Sequence, residues 1–391
     1  MTRCLRSSVL FFRFPRLYAR RIHLIVLLAL AGVLLSGCAG RLPAVSWAGM
    51  TPAGDTLYVA FSTHIYALDL SNGNLRWHYP ESIQGVAAQF YAPPAVTEDT
   101  VIAGSYGAPG TPEVLVGLDR SSGKERWRSE QPALDTLNTH VIGGIVAQDR
   151  RVYVPSTDHR LYALDPVSGT LTPFFEGAQN ALWAAPLIVN DTLYLASLDH
   201  RLYALSAADG AKLWEFQAGG ALAGTPAYAD GVLYFGGFDS QVYALDAQTG
   251  QARWTVSLED NWVWGTPAVR DGTVYVSTLA GQVYALDAAS GAQKWVKQVG
   301  GPVRGGPALH PQGDTLYVGA ADGKVYALSS ADGELRWVGE TAVTTHIYTT
   351  PLVVDDLVII AVNDAPNDNP ALVYAFDAAT GQVRWKFVPP A

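Results

Sequence analysis

One phrase returns eight times along the chain, and an eightfold repeat leaves few architectures open. The phrase is Tyr-Ala-Leu-Asp, then Gly four residues after the Asp, then Trp four after the Gly. It stands at Tyr66…Trp77, Tyr243…Trp254 and Tyr284…Trp295. At Tyr203…Trp214 and Tyr326…Trp337, Ser206 and Ser329 replace the Asp, and Tyr374…Trp385 carries Phe for Leu. Val116-Gly117-Leu118-Asp119…Trp127 is a looser copy, and Tyr162…Gly169 has Pro173 where the Trp would fall. The repeat glycines, 73, 123, 169, 210, 250, 291, 333 and 381, are 40 to 50 residues apart. Self-similarity at that period predicts a propeller or a solenoid.

Each copy reads as four short strands. In the sixth, Gly265–Val269 begins the inner strand, Asp271-Gly272 turns, Thr273–Ser277 is the second, Gln282–Leu286 the third and Ala292–Val296 the outer. Asp, then Ser or Thr, then Gly suits an Asx-type turn that closes on a residue with positive φ. A single four-stranded blade cannot cover its own face, so the outer-strand Trp is expected to pack into the next sheet. That assigns a docking role to Trp77, Trp127, Trp214, Trp254, Trp295, Trp337 and Trp385. His159 and His200 occupy the tight-turn position held by Gly281 and Gly323, which makes them turn residues before metal ligands.

The spacing Ala-x-Asp-x-x-x-Gly-x-x-x-Trp resembles the tryptophan-docking motif of the pyrroloquinoline quinone (PQQ)-type β-propeller repeat family. The resemblance covers roughly Val45 to Val388. It implies an all-β, eight-bladed propeller of four-stranded blades over 45–391. The chain ends fall at blade boundaries, so the spacing reveals no latch, and the first unit reads with a shortened inner strand.

Residues 1–37 hold six arginines and no acid, followed by an apolar run from Leu24 to Leu35. That run is short for a bilayer span, so the segment reads as an export signal. Leu35-Ser36-Gly37-Cys38 resembles the bacterial lipobox, which makes Cys38 the lipidated residue and 38–44 a short tether; the bland alternative is an ordinary signal peptide or an uncleaved anchor. Without 1–37 the chain keeps 20 Lys and Arg against 35 Asp and Glu, a formal charge of −15. Such a surface repels phosphate backbones and shows no basic stripe, which excludes nucleic acid as the expected partner. With Cys4 removed and Cys38 acylated, no disulfide remains, and packing alone must hold the fold.

Positions that do not repeat isolate the candidate site. The copies align on an inner-strand Pro, at 94, 186, 226, 267, 307 and 351, with Ile145 in the third unit. Three residues earlier stand Tyr91, Ile142, Trp183, Ala223, Trp264, Arg304 and Tyr348. Five earlier stand Gln89, His140, Ala181, Ala221, Trp262, Pro302 and His346. A period of two puts both columns on one face. Tyr91, His140, Trp183, Trp262, Trp264, Arg304, His346 and Tyr348 would line a funnel for a planar or sugar-like ligand or a partner loop. The alternative is that these large side chains plug a wide channel. Insertions at 106–112 and 363–370 lengthen the same rim; the second is rich in oxygen ligands but lacks calcium-loop spacing.

The family resemblance also implies an enzyme alternative, since PQQ-dependent alcohol and sugar dehydrogenases share the repeat. Their alcohol-oxidising members are longer and carry an adjacent Cys-Cys pair that this chain lacks. No nucleophile elbow, Cys-x-x-Cys, zinc or phosphate-loop motif occurs, so no catalytic residue is assigned and neither a metal nor a cofactor is required. In size, lipobox and eightfold layout the chain is similar to the BamB family, lipoproteins of outer-membrane barrel assembly. The resemblance implies a monomeric, non-enzymatic ring, lipid-anchored in the cell envelope, with envelope or secreted proteins as partners. PQQ binding or small-molecule sensing is the alternative.

Overall fold

The repeat folds as eight antiparallel sheets, one per copy, arranged as the blades of an eight-bladed β-propeller. The computed structural model describes residues 48–82, 88–106, 113–131, 141, 143–148, 151–259, 261–341, 345–363 and 371–390. The ring is the compact unit Ser46–Ala391. Signal peptide, Cys38 and tether lie outside the described residues, as do His140 and nearly all of both rim insertions. The blades span 49–79, 89–131, 146–175, 187–217, 227–257, 268–298, 308–340 and 352–387, and are numbered 1 to 8 in that order.

Blade 6 shows the pattern. Its strands are Ala268–Arg270, Thr273–Ser277, Gln282–Asp287 and Gln293–Gln298, paired in sequence order. The inner strand is shorter than its residues suggest, because Pro267 has no N–H to donate and pairing starts at Ala268. Blade 1 corrects the expectation of a shortened inner strand. Met50 stands in the proline column and pairs with Val59, and Gly49–Ala53 runs for five residues. In blade 2 the inner edge is split into Gln89–Phe90 and Ala95–Val96, both paired with Thr100–Tyr106.

The core lies between blades. Its eight apolar clusters fall one to each interface, and blade 6 shares Val274, Val276 and Leu286 with blade 5 and Ala285 and Val283 with blade 7. Both faces of a third strand are therefore buried, which explains the unbroken apolar run Val-Tyr-Ala-Leu. A register shift between the third and outer strands sets Ala285 opposite Trp295. The small Ala makes room for the indole, and Gly117 does the same for Trp127, where a Cβ would overlap the ring.

Each docking Trp lies on the turn glycine of the next blade: Trp77 on Gly123, Trp214 on Gly250, Trp295 on Gly333. The glycines have φ near +70°, and a Cβ there would strike the indole. The indole N–H donates to a carbonyl of the same turn, as from Trp254 to Ala288 at 3.0 Å and from Trp337 to Ala378 at 3.0 Å. A second-strand Tyr reaches the same carbonyl, as with Tyr234 and Tyr317. The turn itself is held by its Asp: Asp246 Oδ1 accepts the N–H of Gln248 and Thr249, while Oδ2 accepts from Arg253 at 2.8 Å. His159 and His200 have φ of 74° and 70° and are exposed, as turn residues should be.

Two interfaces depart from the rule. Blade 3 has Pro173 in place of Trp; Phe174 packs edge-on against Tyr153 at 5.1 Å, and Arg151 donates to the carbonyl of Ala207, the one an indole would have served, and to that of Ala208. The ring closes where blade 8 meets blade 1, and among the described residues no strand is exchanged between them. There Trp385 covers Gly73, and Phe387 packs on Tyr66 at 5.2 Å. The second-strand Tyr is replaced by Ile359, and the buried Trp385 Nε1 finds no hydrogen-bond partner among the described residues.

Candidate functional site

The segments leading into the inner strands position the site. The residue four before each proline is apolar and buried in the core: Leu182, Leu222, Val263, Val303 and Ile347 are all fully buried. Alternation along an extended chain then turns the residues three and five before the proline away from the core. Backbone hydrogen bonds fix the segment to two blades at once. Val263 N–H donates to Gly237 of blade 5, and the Trp262 carbonyl accepts from Leu279 in the turn of blade 6. The same pair recurs at Leu222 and Ala221, Val303 and Pro302, and Ile347 and His346. Small residues follow because backbones converge here: a Cβ on Gly265 would overlap the Gly305–Gly306 backbone of the next blade.

All eight blades line the central channel, which holds a cavity of about 250 Å³. Of the eight side chains singled out in sequence, Trp183, Trp264, Arg304 and Tyr348 form its walls. Trp183 and Trp264 stack with centroids 5.8 Å apart. The Arg304 guanidinium lies 4.2 Å from the Tyr348 ring centre and 5.5 Å from that of Trp264, so it bridges blades 6 and 8 by cation–π contact. Two more of the eight continue outward. His346 stacks on Tyr348 at 5.6 Å, and Trp262 stacks on Phe238, 5.3 Å apart and nearly parallel at 14°. Phe238 also meets Trp264 at 5.2 Å, which links the cavity to Trp262, a side chain 50% exposed.

Tyr91 does not join this system. It is buried, donates to Gln89 Oε1 at 2.9 Å and packs on Tyr106. The extra pairing of Gln89–Phe90 with the second strand of blade 2 draws it aside. Phe238 escaped the column comparison because it sits in the turn between second and third strands. Its equivalents are Thr157, Leu198, Leu279 and Ala321, so an aromatic exception was there to be noticed. Met50 hid a further member, since without a proline to align on, Trp47 was not counted in the column of Trp264; Trp47 lies outside the described residues.

A second, larger cavity of about 1080 Å³ opens between blades 2 and 3. Blade 2, like blade 8, lacks the second-strand Tyr that the other six blades carry, with Ile102 in its place. Arg120 and Arg151 on its walls are already bound to carbonyls.

Residues 111–225 and 199–386 match the family described as outer membrane protein assembly factor BamB. Among solved structures, BamB from Moraxella catarrhalis superposes with a TM-score of 0.67 at 20% identity, covering 83% of this chain and 92% of that one. The computationally designed Ika8 protein gives 0.68 at 14% identity, covering 86% and 98%. A europium-containing methanol dehydrogenase gives 0.62 at 15% identity, covering 80% and 81%. At these identities the three share the fold. A stretch of 105 residues is 35% identical to the serine/threonine-protein kinase AfsK of Streptomyces griseus, 24% of this chain and 12% of the kinase. The chain thus spans about an eighth of that curated relative.

Proposed function

The chain belongs to the outer membrane protein assembly factor BamB family, and from that premise we propose that it is a non-enzymatic platform holding protein partners of the cell envelope at its channel mouth. The observation that carries this reading is the exposed Trp262 at the head of the Phe238–Trp264–Trp183 stack. Exposed aromatic anchors backed by rigid neighbours are what interface hot spots are made of. Partner side chains would seat against Trp262 and His346, and the repeated scaffold would hold these residues still.

In this proposal the signal segment 1–37 is removed, Cys38 carries the lipid, 38–44 forms the tether and the ring faces the periplasm from the outer membrane. A single ring with its apolar surface spent between blades acts as a monomer. The test is a photo-crosslinking residue placed at position 262 of the protein in its native envelope. Crosslinks to components or clients of barrel assembly are expected. Crosslinks that appear from the outer strand at Leu335 and never from 262 would overturn the assignment of the mouth.

The quinoprotein alternative draws on stacked Trp183 and Trp264, which could hold a planar cofactor. PQQ chemistry in the dehydrogenases with this repeat also asks for a metal held by acidic ligands. The channel's described walls carry no carboxylate, and the described residues bring no three His, Cys, Asp or Glu side chains into a metal-binding group. That donor set does not fit a cofactor–metal pair, and no oxidation step is derived from it.

A further inference from the structure

We infer that the central cavity is a binding site for a compact aromatic carboxylate, with Arg304 as its anion receptor. This goes beyond the platform role and does not depend on it. Every other described arginine is spent: Arg76, Arg126, Arg253 and Arg384 pair with turn aspartates, Arg128, Arg160, Arg201 and Arg336 with other carboxylates, and Arg120, Arg151 and Arg270 donate to carbonyls. Arg304 alone among the described arginines makes neither a hydrogen bond nor an ion pair, and its guanidinium lies against the rings of Trp264 and Tyr348. Neither contact is a hydrogen bond or an ion pair, so the guanidinium's N–H donors are left for a ligand.

Arg304 is also the single charge on the described cavity wall, where the other side chains are Trp, Tyr, Thr, Pro, Met, Leu and small residues. A guanidinium half-buried among aromatic rings, with no neutralising acid, selects an anion that can accept two parallel hydrogen bonds. Carboxylate geometry meets that demand. The cavity's 250 Å³ admits one ring or a fused pair, and Trp183, Trp264 and Tyr348 on its walls present aromatic surface to it. The acidic surface of the ring, deduced from the sequence, would repel anions elsewhere, so binding is expected at this one place.

The test is calorimetric titration of the whole chain with indole-3-acetate and with its uncharged amide. Saturable binding of the acid is expected, with the amide about tenfold to a hundredfold weaker, since a charge-assisted pair is worth that much. Arg304→Met should erase the preference for the acid, and Arg304→Lys should keep part of it. Equal affinity for acid and amide, a preference that survives in Arg304→Met, or no saturable heat from the folded chain would each overturn the assignment. Near-ultraviolet circular dichroism establishes that the variants are folded. The comparison of acid with amide in the unmodified chain stands even if a variant fails to fold.

Discussion

At the scale of single residues, the motif aspartates are structural, and their ionisation ties stability to pH. Asp246 is lowered from its ordinary 3.8 to about 2, first by the Arg253 guanidinium and then by the Thr249 N–H and hydroxyl. Asp55, in the turn between the first two strands of blade 1, is lowered likewise to about 2 by Arg76 and Thr56. A carboxylate held below its unfolded value stabilises the fold above that value, and the contribution is lost as pH falls through the folded one. Thermal melting should therefore be flat through neutral pH and fall between about pH 4 and pH 2. Arg253→Ala should flatten part of that acid limb, which a series of melts against pH would detect. The indoles offer a sharper contrast. Trp295 Nε1 donates to Ser330 at 3.1 Å, whereas Trp385 Nε1 is buried with no such bond. Trp295→Phe should cost about 1 kcal/mol more than Trp385→Phe in denaturant titration, because only the first loses a bond.

At the scale of elements, blade 3 tests whether a substitute can do a docking tryptophan's work. Phe174 supplies the ring and Arg151 supplies the donor, so the two jobs of one side chain are divided between strands. Phe174→Ala should cost about 2 kcal/mol and Arg151→Ala roughly 1. Their double variant should be less than additive, since both act on the blade 4 turn. A strictly additive result would mean the two contacts are independent. Strand order, turn chemistry and the partners of the docking motif were legible in the sequence because each rests on spacing within one copy. The short inner strands were overestimated where Pro267 and its equivalents remove a donor, and blade 1 was misjudged because Met50 restores one. Phe238 was missed for a different reason. It reaches the site from a turn, and only the fold reveals that this turn stands beside Trp262 and Trp264.

At the scale of the whole molecule, the described residues close the ring by side-chain packing. Trp385 on Gly73 and Phe387 on Tyr66 do what a shared strand would do in a latched sheet. Trp385→Ala should thus cost about 3 to 5 kcal/mol, and hydrogen exchange should rise first in blades 1 and 8. Copy-to-copy comparison had isolated the channel columns but left open whether their large residues receive a partner or fill a hole. The six that assemble there are joined through Phe238 into one set of contacts that ends in solvent at Trp262. The decisive measurement is the melting temperature of Trp262→Ala set beside its crosslinking yield in the envelope, read from a probe at position 346. A working mouth predicts a stability loss of only about 1 to 2 kcal/mol, the worth of the Phe238 stack and the half-buried ring, with partner capture sharply reduced. A variant that loses several kcal/mol, or captures partners undiminished, would contradict the platform account.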